Sequence, residues 1–193
     1  MAMDIKDIKK ELKKVLTDKR YEHTLGVAYS AMCLAMVYDT DIKKAELAGL
    51  LHDNAKCMSD EKLLKKCKKH NLNMSEIEKE QPYLLHAKLG AFYAGEKYGV
   101  CDKDIISAVY YHTTGHPDMT MLEKIIFVAD YIEPGRNKAH NLSEIRKLSF
   151  SDIDKAVYRI TEDTIRYLNN DKRKLDGMTE KTYHYYKNII ENR

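Results

Sequence analysis

Apolar residues recur at three- and four-residue spacing along almost the whole chain, and no segment alternates apolar with polar residues over a strand's length. That periodicity restricts the fold to packed helices. Ile5, Ile8, Leu12, Val15 and Leu16 predict a short amphipathic helix. Lys19 to about Tyr38 carries Val27, Ala31, Leu34 and Ala35 on one face, with His23 a turn below Val27. A third helix is expected from Lys43 to His52, and Ser59 is the expected N-cap of a Lys-rich helix through His70. Pro82 marks a break, His86 to Tyr98 reads as a helix closed by Gly99, and Asp102 or Asp104 opens another to about His112. Thr120 begins a helix through Tyr131, stopped by Glu133-Pro134-Gly135. Ser143 to Leu148 reads as one short helix. Ser151 is the expected cap of a helix through about Leu168, with Ile153, Val157, Ile160, Thr164 and Leu168 as its buried stripe. A last helix is expected from Thr179 to Asn192. Only eight glycines and three prolines interrupt the chain, in keeping with long helices. The reading is all-α: one domain, 1–193, with no repeat or linker.

Thirty-three basic against thirty acidic side chains leave a net charge of +3, too balanced to mark a nucleic-acid binder by charge alone. The run Lys62, Lys65, Lys66, Lys68 and Lys69 reads as a solvated helix face, because Leu63, Leu64 and Cys67 give that helix a buried side. No apolar run is long enough to cross a bilayer. The N-terminal residues show no basic and apolar leader pattern, and Cys33, Cys57, Cys67 and Cys101 form no C-x-x-C pair. Reduced thiols and a cytoplasmic location are expected.

The chemistry concentrates in a few residues. His52-Asp53 closes the apolar stretch Ala45 to Leu51, His23 precedes it, and Asp130 stands alone inside the apolar run Ile125 to Tyr131. His86 and His112 lie between. Imidazole nitrogen and carboxylate oxygen are ligands that borderline divalent metals take. Buried without a cation they would be costly. Each residue alone has a plainer explanation. His23 alone would be an ordinary helix histidine. His52 suits a helix C-terminus as a capping cation, but Asp53 at that end is unfavourable. His86 alone would cap or pair at the start of its helix. His116 reads as a loop histidine, and His70, His140 and His184 as surface residues.

The order His23, His52-Asp53, His86, His112, Asp130 matches the pattern of HD-domain metal phosphohydrolases. The blocks Arg20 to Val27, Leu50 to Lys56, His112 to Gly115 and Leu122 to Arg136 resemble the bacterial YqeK-type family, the symmetrical diadenosine tetraphosphate hydrolases of that superfamily. The likeness spans about 19–136. Asn54 departs from the Ile or Cys expected after the doublet, while Lys56 is in place.

The resemblance implies an HD-domain helical bundle, with a core of about 19–136 and C-terminal helices at 143–192 packing on it. It implies that His23, His52, Asp53 and Asp130 hold one metal, iron, and that Asp53 bridges to a second ion or to substrate beside His86 and His112. Manganese, cobalt, nickel or zinc suit the same ligands. Asp53 is the candidate for orienting the attacking water, and Lys56 for a point charge near it. Arg20 and Arg136 are candidate phosphate forks, and the Thr113 and Thr114 hydroxyls candidate phosphate donors. Thr182 and Tyr183 fall in a segment that resembles one closing over nucleotide. The implied reaction is cleavage of diadenosine tetraphosphate into two ADP. The rivals are an HD phosphohydrolase of another nucleotide (a dNTP, a mononucleotide or a guanosine polyphosphate) and a nucleotide-binding domain without turnover. The expected partner is nucleotide, with no nucleic acid and no membrane. The sequence leaves a homodimer open.

Overall fold

The computed structural model describes residues 3–137, 139 and 141–193, so His140 lies outside the described residues. Among them are eleven α-helices, one 3-10 turn (Pro82–Leu84) and no strand. The helices are α1 (Ile5–Val15), α2 (Asp18–Val37), α3 (Ile42–Leu51), α4 (Asp60–Lys69), α5 (Glu76–Glu80), α6 (Leu85–Glu96), α7 (Lys103–Tyr111), α8 (Met121–Ile132), α9 (Leu142–Ser149), α10 (Ile153–Asn170) and α11 (Gly177–Glu191). None is long and apolar enough to cross a membrane.

The all-α expectation holds, and most boundaries fall within two residues of those read from periodicity. Ser59 caps α4 as expected, its hydroxyl accepting the Lys62 amide. The cap of α10 is Asp152, which accepts the Lys155 amide at 3.1 Å. Ser151 instead donates to the Lys147 carbonyl at 3.2 Å, serving the end of the preceding helix. Helix α5 was not legible: four polar residues around the single apolar Ile77 carry no period, and a capping box between Ser75 and Glu78 starts it.

One apolar core runs from Ile8 on α1 to Tyr186 on α11. Val27, Ala28, Ala31, Leu34 and Ala35 of α2 face α3 and α8. Gly49 permits the close crossing of α3 on α2, since a Cβ there would stand 2.8 Å from the Ala28 Cα. Helix α8 contributes Leu122, Ile125, Ile126, Phe127, Val128, Ala129 and Ile132. A smaller apolar cluster of Ala55, Leu63, Cys67, Leu85 and Leu89 seats α4 against α6, and the lysines of α4 stay exposed. This packing brings together the first two turns of α2, the C-terminal ends of α3 and α7, the start of α6 and the last turn of α8.

Candidate active site

Two groups of candidate metal ligands meet at one carboxylate. His23 Nε2 on α2, His52 Nε2 at the C-cap of α3 and Asp130 Oδ1 on α8 form the first group, and Asp53, His86 and His112 the second. Asp53 Oδ2 lies 3.4 Å from His52 Nε2 and 3.8 Å from His23 Nε2. Its Oδ1 lies 3.3 Å from His86 Nε2 and 3.6 Å from His112 Nε2. His52, Asp53, His86 and His112 are buried.

The far nitrogen of each ring decides its protonation. His52 Nδ1 faces the Gly49 carbonyl at 2.7 Å, His86 Nδ1 the Tyr83 carbonyl at 2.5 Å and His112 Nδ1 the Val109 carbonyl at 2.7 Å. A carbonyl oxygen only accepts, so each Nδ1 carries the proton and each neutral Nε2 presents a lone pair inward. His23 Nδ1 is 3.1 Å from Glu133 Oε1, a carboxylate that fixes the same tautomer. His23 Nε2 then confronts Asp130 Oδ1 at 3.0 Å, and His86 Nε2 confronts His112 Nε2 at 3.2 Å. Lone pairs that close repel unless positive charge lies between them. His23 Nε2, His52 Nε2 and Asp53 Oδ1 are buried without a hydrogen-bond partner. The donor set and its outer hydrogen bonds therefore fit divalent metal ions.

The electrostatics agree. Burial pushes the Asp53 carboxyl up, but the neighbouring His52, then His112 and His86, outweigh it and hold Asp53 well below the carboxylate range. Burial likewise opposes Asp130, and His23, His52 and Arg136 overcome it and lower its pKa. Burial would lower the His52 pKa, yet Asp53 and Asp130 raise it: this pair of carboxylates favours any added positive charge. His86 goes the other way. Burial, then the Lys56 ammonium, bring it to about 4, so it is a neutral imidazole at neutral pH.

The HD domain family profile matches residues 20–135. A symmetrical bis(5'-nucleosyl)-tetraphosphatase of Halalkalibacterium halodurans is 38% identical over 172 residues, which is 89% of this chain and 91% of that one. The chain belongs to the HD-domain family of symmetrical bis(5'-nucleosyl)-tetraphosphatases. The Bacillus subtilis protein of that name is 37% identical over 174 residues, 90% of this chain and 92% of its relative. A crystal structure from Clostridium acetobutylicum, described as a predicted HD superfamily hydrolase involved in NAD metabolism, has a TM-score of 0.94 at 35% identity and covers 100% of both chains.

In this tetraphosphatase-family protein the polar groups read from sequence surround the ligands. Arg20 donates to Asp53 Oδ2 at 2.8 Å, and Arg136 to Asp130 Oδ1 at 3.0 Å. Lys56 Nζ is 3.1 Å from His86 Nε2. It arrives there from a tight turn rather than from a continuing helix, because α3 stops at Leu51 and the Lys56 amide bonds the Asp53 carbonyl at 2.9 Å. Thr113 Oγ1 lies 3.1 Å from His112 Nε2 and 3.3 Å from His86 Nε2. Thr182 is buried, its hydroxyl shared between the Met178 carbonyl at 2.8 Å and the Thr114 carbonyl at 3.0 Å, so it sits against the loop that carries Thr113. Gly115 in that loop has φ +61°, and a Cβ there would meet Thr182 at 2.8 Å. Tyr183 stacks on Tyr158 with centroids 5.6 Å apart. Neither Thr182 nor Tyr183 hydrogen-bonds a ligand residue among the described contacts. His116 is paired with buried Glu123 at 3.1 Å, and His70 lies on Phe92.

Sequence reasoning missed two residues of the site. Glu133 was read only as part of a helix stop, yet its carboxylate is buried behind His23 and accepts the Gly135 amide at 2.6 Å. The signal was its spacing: three residues past Asp130 at a helix end puts both acids on one face. Asn54, noticed as a departure, is buried, and its amide donates to the Leu51 carbonyl at 2.8 Å and the Gly90 carbonyl at 2.9 Å. It ties the His52-Asp53 turn to the helix that carries His86.

Proposed function

We propose that this protein is a metal-dependent hydrolase that cleaves diadenosine tetraphosphate symmetrically into two ADP. The observation that carries it is the shared Asp53, whose two oxygens each face their own group of inward lone pairs. The relatives' names supply the substrate class and the symmetry of the cut. His23, His52, Asp53 and Asp130 would hold one ion, which we take to be iron, and His86 and His112 with Asp53 would hold a second. Manganese, cobalt, nickel and zinc suit the same donors. Bound there, such ions neutralise phosphoryl oxygens and lower the pKa of a water towards ~7.

The remaining work falls to side chains. Asp53, held well below its usual range, orients a water by accepting its hydrogen bond and is too weak a base to keep its proton. Arg20 and Arg136 rest on the ligand carboxylates with side chains 33% and 36% exposed, which leaves their outer edges free to fork onto phosphate oxygens. Lys56 adds a point charge on the His86 side, and the Thr113 hydroxyl donates to a phosphate oxygen. The charge on the departing ADP is met by these cations. We read the whole chain, 1–193, as the working unit, cytoplasmic, with nucleotide and no nucleic acid or membrane as its partner.

The test is a chromatographic product assay with diadenosine tetraphosphate, with and without chelator and added iron or manganese. ADP as sole product, abolished by chelator, is expected. ATP plus AMP would overturn the symmetrical cut. Turnover of a dNTP, a mononucleotide or a guanosine polyphosphate alone would move the reading to another HD phosphohydrolase.

A further inference from the structure

The turn that follows α8 is held from outside the site. Helix α8 ends at Ile132, and Pro134, four residues past Asp130, has no N–H to give the Asp130 carbonyl. Arg136 supplies that bond from its side chain. Its Nε donates to the Asp130 carbonyl at 3.1 Å while its Nη2 donates to Asp130 Oδ1 at 3.0 Å. The carbonyls further along belong to a second arginine. Arg146, on α9, donates from Nε to the Ile132 carbonyl at 2.9 Å. Its Nη2 donates to the Glu133 carbonyl at 2.9 Å and to the Arg136 carbonyl at 3.0 Å. One half-buried guanidinium thus fixes three carbonyls of the stretch 132–136.

A cation suits the carbonyl end of a helix, but charge alone does not explain this arrangement. Three acceptors are met at once because the guanidinium is a rigid, planar fork, and an ammonium is a point charge without that geometry. The stretch it holds carries two side chains turned towards the ligand cluster: Glu133 behind His23, and Arg136 on Asp130. A long side chain left on a mobile backbone would lose rotamer freedom each time it gripped a ligand. We propose that Arg146 is a positioning residue for phosphate binding: it holds the Arg136 backbone so that the Arg136 guanidinium stands ready beside Asp130. The assignment rests on the functional reading above, in which Arg136 forks onto phosphate. Arg146 works through Arg136 and touches no substrate.

The test is a double-substitution cycle on full-length protein at saturating manganese. Inorganic tripolyphosphate binding is read by calorimetry, and KM and kcat for diadenosine tetraphosphate by product assay. Loss of a charged donor predicts about ten-fold weaker tripolyphosphate binding in Arg136→Ala. Arg146→Ala should weaken it by about three- to ten-fold and raise KM more than it lowers kcat. Once Arg136 is already alanine, Arg146→Ala should change tripolyphosphate affinity by less than about two-fold, because its effect passes through the missing side chain. Arg146→Lys keeps the charge and much of the packing, and it should still bind more like Arg146→Ala than like wild type. The same loss from Arg146→Ala with and without Arg136 would overturn the proposal. So would Arg146→Lys that binds like wild type, or a lowered Tm in Arg146→Ala with tripolyphosphate affinity unchanged. Tripolyphosphate binding needs no turnover. Wild-type protein that shows the non-additive pattern but leaves diadenosine tetraphosphate intact would sink the functional reading while the role of Arg146 stood, and wild-type protein that binds no tripolyphosphate would overturn both.

Discussion

Glu133 and Asp53 stand at different distances from the proposed metal site, and their substitutions should separate accordingly. Asp53→Ala and Asp130→Ala remove proposed ligands, and each should lower turnover by more than about 100-fold with an unchanged circular dichroism spectrum. Full activity in either folded variant would remove that residue from the ligand set. Glu133 touches only the far side of His23, at 3.1 Å. Glu133→Ala should weaken metal binding by about 10- to 100-fold, and Glu133→Gln, which keeps an acceptor for the His23 N–H, should restore part of it. Competition titration of the metal-free protein measures both. Equal affinities for all three proteins would show that Glu133 only packs. The cluster of His23, His52, Asp53, His86, His112 and Asp130 was legible because order and residue type together are restrictive. Glu133 was not, since a glutamate before Pro-Gly reads equally well as a helix stop, and only the third dimension brings it behind His23.

Helix α8 carries Asp130, and its start is held by a capping box between Thr120 and Glu123. Burial raises the Glu123 carboxyl, but hydrogen bonds from Ser107, from the Thr120 amide and from His116 outweigh it and hold its pKa below the ordinary 4.5. A carboxyl lowered on folding stabilises the fold above its unfolded value and loses that contribution as pH falls below about 4.5. Glu123→Gln should therefore cost stability at neutral pH and flatten the acid limb of a melting-temperature profile. A limb as steep as wild type would mean that other carboxyls govern acid unfolding. At the crossing of α2 and α3, Gly49→Ala drives a methyl towards the Ala28 backbone and should cost about 1–3 kcal/mol in denaturant unfolding. The period-3.6 pattern announced both helices, but not how closely they cross. Nor did it announce α5, which has no apolar face to read.

Across the described residues, five segments distant in sequence bring the candidate ligands to one place: α2, the ends of α3 and α7, the start of α6 and α8. Periodicity says nothing about which helix meets which. The ligand order did, since these segments must converge if one cluster is to form. A bound ion then ties them together in the folded state only. At a free concentration 100 times Kd it should add about 2.7 kcal/mol. For a chain of this size that is roughly 5–10 °C in Tm, lost on chelation and regained with metal, by scanning calorimetry. A Tm indifferent to both treatments would argue that the cluster holds no ion tightly.

Gly26 leaves room for the Glu133 carboxylate: a Cβ at 26 would stand 2.7 Å from Oε2. That makes mutational drift at the two positions directional. The acid can be lost while the glycine remains, leaving a small void. A side chain gained at 26 while the acid stays must push its carboxylate away from the Gly135 amide. Once a lineage has lost Glu133 and filled position 26, an acid regained at 133 returns to a displaced position until the glycine is restored, so the original arrangement has no single-substitution route back.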